Sequence, residues 1–128
     1  KFSMGYGFNR MVYNNEYHST LEVIFMIYMV DIDGTICYTT GSNYEESRPI
    51  QERIDHFNKL YEDGHEINYW TARGSKSGTD WHGFTKAQLL SWGVKFTTLK
   101  LGKPHYDIWI DDKAQNDKEY FRNKRYTG

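Results

Sequence analysis

Two carboxylates, Asp31 and Asp33, stand two residues apart at the end of an apolar run, Val23 to Val30, and are followed by Gly34 and Thr35. Side chains on a strand repeat with period two, so both acids project from one face. Gly34 then lets the backbone turn sharply away. Such a pair can do chemistry at phosphorus: one carboxylate attacks, the other moves protons. Three further positions have matching chemistry. Thr71 closes the run Glu66–Trp70, Lys103 precedes the run Tyr106–Ile110, and Asp111-Asp112 closes that run. Carboxylates, a hydroxyl and an ammonium are what Mg²⁺-assisted phosphoryl transfer needs, because hard oxygen ligands hold the metal while cations neutralise phosphoryl oxygens.

The elements that must position these groups alternate. From residue 23 the sequence predicts a strand to Val30, then a Gly/Ser/Thr/Tyr-rich loop from Tyr38 to Ser47. Pro49 suits a first helical position, Ile50, Ile54, Phe57 and Leu60 recur at helical spacing, and Gly64 stops the helix. Glu66–Trp70 reads as a second strand. Asp80 is placed to cap a helix carrying Trp81, Phe84, Ala87 and Leu90 and closed by Gly93. Lys95–Leu101 and Tyr106–Ile110 read as third and fourth strands, and Ala114–Lys124 as a terminal helix. Strands separated by helices imply right-handed crossovers and an α/β fold, a central parallel sheet with helices on both faces. Ligands gather beyond the carboxyl ends of such strands, where these polar residues fall. Residues 1–22 have no clear period. They read as an N-terminal extension (a hairpin, an arm or an upstream segment) before a domain over 23–128.

The motifs Asp31-Ile-Asp-Gly-Thr35, Trp70-Thr-Ala-Arg73, Gly102-Lys-Pro104 and Ile110-Asp-Asp-Lys113, in this order, resemble the four motifs of haloacid dehalogenase (HAD) superfamily phosphatases. The resemblance covers residues 23–124. It implies a Rossmann-like three-layer sandwich, Mg²⁺ and an aspartyl-phosphate intermediate. It implies Asp31 as nucleophile and Asp33 as acid and base, with Thr71 and Lys103 on the phosphoryl group. The metal would be held by Asp31, Asp33 through its backbone carbonyl, and one of Asp111 and Asp112, Asp111 being preferred. Lys86 is a rival for the motif lysine. The short spans Ile36–Arg48 and Thr71–Lys103 leave no room for a large cap domain. A small capless enzyme with an open site follows, with Tyr38, Tyr44, Ala72, Arg73, Ser75 and Lys76 facing substrate.

Two rival architectures fit less well. An EF-hand starting at Asp31 would have its glycine two positions too early and Ser42 in place of the final Glu. A receiver domain also combines acids, Thr and Lys, but in a different order along the chain.

Composition narrows the partners. The 128 residues carry a net charge of −1, which gives no bulk drive toward nucleic acid or anionic membrane. The resemblance to small capless members implies a small phosphorylated sugar or polyol, which the Tyr and small polar residues near the site suit and which is the preferred substrate. A nucleic-acid 3′ end is the alternative, because Thr71–Ser75 and Ile110–Gln115 are also similar to the phosphatase half of polynucleotide kinase-phosphatases. A metal-binding interaction module without turnover is a third reading. The apolar run is too short to span a bilayer. The single cysteine, Cys37, excludes an internal disulfide and suits a reducing, cytoplasmic setting. Its neighbours include no His to activate it. Aromatic residues make up 17% of the chain, a density compatible with a homo-oligomer. The five histidines, His18, His56, His65, His82 and His105, lack metal-ligand spacing.

Overall fold

The computed structural model describes residues 8–13, 19–122 and 124, with side chains from residue 24 onward. The core is a three-stranded parallel sheet in the order β3-β6-β7, formed by β3 (Ile27–Val30), β6 (Glu66–Trp70) and β7 (Thr98–Lys100). Ile27 stands beside Glu66 and Val30 beside Tyr69, while Trp70 stands beside Lys100. All three strands therefore end at one rim, and Asp31 and Thr71 are the next residues on β3 and β6.

Before the sheet, β1 (Phe8–Tyr13) and β2 (Ser19–Ile24) pair antiparallel. This is one of the forms open to residues 1–22, of which 1–7 and 14–18, including His18, lie outside the described residues. The apolar run from Val23 divides: β2 ends at Ile24, and β3 begins only at Ile27. The break has its own bonds. Met26 donates its N–H to His65 Nδ1 at 3.0 Å and accepts from the Glu66 N–H at 3.0 Å.

Helix α1 (Gln51–Glu62) covers the sheet face carrying Tyr28, Val30, Ile67 and Tyr69. Its buried stripe is Ile54, His56, Phe57 and Leu60. The Phe57 ring meets Tyr28, Tyr69 and Phe121 edge-on. The helix starts after Pro49, which lies in β5 (Arg48–Pro49) rather than at the first helical position. On the opposite face of β3, Ile27 and Met29 are exposed.

Further expectations change, and the predicted strand Lys95–Leu101 is confined to Thr98–Lys100. The predicted strand Tyr106–Ile110 does not form. Its aromatic residues pack instead of its backbone pairing: Trp109 lies edge-on to Trp70 at 5.9 Å, and Tyr106 contacts Trp109 and the Lys103 ammonium. The predicted helix Ala114–Lys124 shortens to α3 (Asp117–Phe121), because the Asn116 side chain caps it by accepting from the Lys118 N–H. Helix α2 (His82–Ser91) begins after Trp81, with Asp80 accepting from the His82 N–H. Its inward stripe is rotated from the apolar positions: Thr85 and Leu89 are buried, while Ala87 and Leu90 are exposed. Among the described residues no helix is long and apolar enough to cross a membrane.

The Tyr69 hydroxyl works against the fold. Tyr69 is fully buried, and its hydroxyl has no hydrogen-bond partner among the described residues. A buried unsatisfied hydroxyl carries a desolvation cost of about 1–3 kcal/mol. Tyr69→Phe keeps the ring and removes that cost. The expected outcome is a gain of about 1 kcal/mol in denaturant unfolding; a loss of stability would mean that the hydroxyl is bonded.

Candidate active site

Asp31 and Thr71 occupy the rim because they directly follow β3 and β6. The Thr71 N–H donates to the Lys100 carbonyl at 3.0 Å, and the Lys103 N–H donates to the Thr71 carbonyl at 3.1 Å. These two bonds carry the chain from β7 across the strand ends and deliver Lys103 to the first acid. The Lys103 ammonium lies 3.4 Å from Asp31 Oδ1. Lys86, the rival lysine, is exposed on α2. Thr71 is buried, and its Oγ1 accepts from the Arg73 N–H at 3.1 Å, so its own hydroxyl proton remains to be donated.

The turn after Asp31 is tight. Thr35 and Ile36 donate to the Ile32 carbonyl, Gly34 donates to the Cys37 carbonyl, and Gly34 adopts φ 85°, a region side chains disfavour. The turn opens into a short flap: β4 (Cys37–Tyr38) pairs antiparallel with β5, and a 3-10 turn, Tyr44–Glu46, lies between them.

Asp33 faces into this flap and is held by the side chains of Arg73 and Thr39. Arg73 grips it with two nearly parallel bonds, Nε to Oδ2 at 2.9 Å and Nη2 to Oδ1 at 2.8 Å. Thr39 Oγ1 donates to Oδ1 at 2.6 Å. The Arg73 side chain is itself fully buried. Its Nη1 is satisfied by Gln88 Oε1 at 2.8 Å and Thr85 Oγ1 at 3.2 Å, and its guanidinium lies over the Tyr44 ring at 4.6 Å. These partners explain the rotated stripe of α2: a buried guanidinium needs acceptors, so Thr85 and Gln88 turn inward in place of Ala87 and Leu90.

The two acids are driven apart. Burial pushes the Asp31 carboxyl above the ordinary value, and the Lys103 ammonium pulls it back without cancelling the rise. Burial also pushes Asp33 up, but the bonds from Arg73 and Thr39, with the guanidinium charge, outweigh it and hold Asp33 below the ordinary value. Burial pushes the Cys37 thiol up to about 11, so it stays protonated at neutral pH and is no nucleophile.

The remaining candidates spread out. Arg73, expected at the substrate, is spent inside on Asp33. Tyr44 is half-buried between Arg73 and Trp81. Ala72 is half-buried, Ser75 donates to the Lys103 carbonyl at 2.7 Å, and Lys76 is exposed on the loop. That loop turns at Gly74, with φ 81°, where an added Cβ would meet the Thr79 carbonyl oxygen. Asp111 and Asp112 are exposed, and Asp111 Oδ1 accepts from the Lys113 N–H. Among the described residues, no group of three or more His, Cys, Asp or Glu gathers to hold a metal ion. The donor chemistry at the rim suits a hard divalent cation, but the placement does not gather a cage: Asp31 presents its carboxylate, both Asp33 oxygens are engaged, and Asp111 and Asp112 stand apart.

Sequence reasoning missed Thr39, Thr85 and Gln88. Thr39 lies in a loop crowded with similar residues, and nothing in its neighbours singles it out. Thr85 and Gln88 had a signal: polar residues three apart, in phase with Trp81 and next to Leu89, on a short helix.

No family model matches the chain, and no curated protein matches it. Among solved structures, it is similar to an MCSG target crystallised from Vibrio cholerae. The match has 25% identity and a TM-score of 0.65, and covers 75% of this chain and 87% of that one. That likeness supports the α/β fold and carries no statement about chemistry.

The Arg73–Asp33 pair sets a stability expectation. Arg73→Met leaves Asp33 without its guanidinium and leaves Thr85 and Gln88 facing an apolar chain. A loss of roughly 3 kcal/mol is expected in denaturant unfolding; a change within about 0.5 kcal/mol would show that the pair does not hold the site.

Proposed function

We propose that this chain is a Mg²⁺-dependent phosphomonoester hydrolase of the HAD type, with a small Rossmann-like fold and no large cap, acting on a small sugar or polyol phosphate. The observation that carries the reading is the pairing of Asp31 with Lys103 at a parallel-sheet rim, two residues from an acid held ionised by Arg73. The near-neutral net charge favours a metabolite over a nucleic-acid end.

Asp31 is the nucleophile. Its carboxylate attacks phosphorus and forms the aspartyl-phosphate, and the P–O bond to the leaving group breaks. Lys103 steadies the charge on Asp31 before attack and on the phosphoryl oxygens during it. Thr71 donates its hydroxyl proton to a phosphoryl oxygen. Mg²⁺ would neutralise phosphoryl charge, with Asp31 and the Asp33 carbonyl as its ligands at the rim; Asp111 or Asp112 would have to move toward them to complete the set, because the described residues do not gather these acids.

Asp33 handles protons. In the free protein it is ionised, which suits the second half of the reaction, where it takes a proton from the attacking water. An arriving phosphate dianion raises its affinity for a proton by like-charge repulsion, which readies it to protonate the leaving oxygen in the first half. Arg73 then fixes which way the acid points in both halves.

The direct test is hydrolysis of p-nitrophenyl phosphate with and without Mg²⁺. Mg²⁺-dependent turnover is expected, with Asp31→Asn slower by about 10³-fold or more. Turnover equal in Asp31→Asn would remove the nucleophile from this account. Absence of Mg²⁺-dependent turnover across a phosphate-ester panel would favour a binding module.

The pH profile tests Lys103. Asp31 must be ionised to attack, so activity falls as pH drops through its raised pKa. Lys103 lowers that pKa. Lys103→Met is therefore expected to move the acid limb of kcat/KM to higher pH and to slow the reaction by about 10²-fold. A limb that stays put or moves down would show that the ammonium does not act on Asp31.

A further inference from the structure

A cavity of about 560 Å³ opens between the Gly34 turn and the flap. We propose that this cavity is the leaving-group subsite, and that Glu46 and Arg48 within it select a polyhydroxylated group. The proposal rests on the hydrolase reading and names what that site recognises.

Position comes first. Thr39 lines the cavity and donates to Asp33 Oδ1 at 2.6 Å. The cavity therefore begins one hydrogen bond from the carboxylate assigned to the leaving oxygen, which makes it the neighbouring space for the group that oxygen carries. The volume lies in the range of small-molecule sites and exceeds what a phosphoryl group needs.

Lining chemistry comes second. No Leu, Ile, Val, Met or Phe lines the cavity. Glu46 only accepts hydrogen bonds when ionised, Arg48 only donates, and Asn43 does both. A polyol answers all three, because each hydroxyl donates and accepts. An apolar group would strip water from Glu46 and Arg48 and return nothing. The Tyr38 ring, with the Arg48 guanidinium 5.7 Å from its centroid, gives the one flat wall against which a carbon skeleton can lie.

The walls are also held in place. Tyr38 pairs with Arg48 across the β4–β5 ladder. Thr39 and Ser47 are bonded across the flap at 2.6 Å. The flap's 3-10 turn is tied to α2 through Gln88 Nε2, which donates to the Tyr44 carbonyl at 2.7 Å. The flap backbone is thus set before binding, and the exposed side chains of Glu46 and Arg48 are what a ligand has left to order.

The experiment compares sorbitol 6-phosphate with p-nitrophenyl phosphate, in wild type, Glu46→Gln and Arg48→Met. The ratio of kcat/KM for the polyol ester over the aryl ester is expected to fall about ten-fold in each variant. A ratio within two-fold of wild type would overturn the subsite. A second measurement is independent of turnover: binding of sorbitol 6-phosphate and of inorganic phosphate to Asp31→Asn, with and without the same substitutions, followed by NMR titration. A fall of similar size in the affinity ratio supports the subsite, and an unchanged ratio overturns it. If the affinity ratio falls but wild type turns over neither ester, the subsite stands and the hydrolase reading fails.

Discussion

A guanidinium buried beneath an acid organises this molecule. Arg73 has no exposed side chain, so each of its nitrogens must find an acceptor inside the protein, and each partner is thereby placed. Asp33 takes two of its bonds, Thr85 and Gln88 take the others, and Tyr44 covers its face. Helix α2 is rotated to supply the acceptors. The flap is drawn down because Gln88 reaches on to the Tyr44 backbone. One side chain thus links the turn after β3, the flap and α2.

The same interaction divides labour between two like residues. Asp31 and Asp33 share a strand end and a residue type, yet their environments push them in opposite directions. Asp31 is half-buried and meets one ammonium at 3.4 Å and the backbone of Ile32. Asp33 meets a bidentate guanidinium and a hydroxyl. Acid–base pairs are distinguished in this way, by surroundings and not by composition. Position on the sheet does the rest: parallel strands bring Asp31 and Thr71 to one rim, and the Thr71–Lys103 bond adds the ammonium.

Much of this arrangement was legible in the sequence, because its causes are local. Glu66–Trp70 is the strand the pattern predicts, since a short apolar run between a helix-ending glycine and a polar loop has few other fates. The Asp31–Gly34 turn follows from its glycine, whereas Lys103 was placed at the rim through a fourth strand that does not form and arrives instead through its backbone bond to Thr71. What the sequence hid depends on three-dimensional demands. The inward face of α2 could not be read from its apolar residues, because a distant Arg73 reassigns it. The alternation of Tyr106–Ile110 is that of a strand, but its aromatic side chains find Trp70 and Lys103 instead of a backbone partner. Arg73 looked like a substrate ligand because an arginine beside a reactive threonine usually has an open mouth to face, and here the acid behind it claims it first.

The opposed titration of the two acids is the claim from which the rest follows. Carboxyl carbon NMR of the selectively labelled protein, followed from neutral to acid pH without added ligand, measures it directly. The account requires Asp33 to hold its charge below the pH at which an ordinary aspartate loses it, and Asp31 to take up its proton above that pH. The reverse order, or two carboxyls titrating together at the ordinary value, would contradict it.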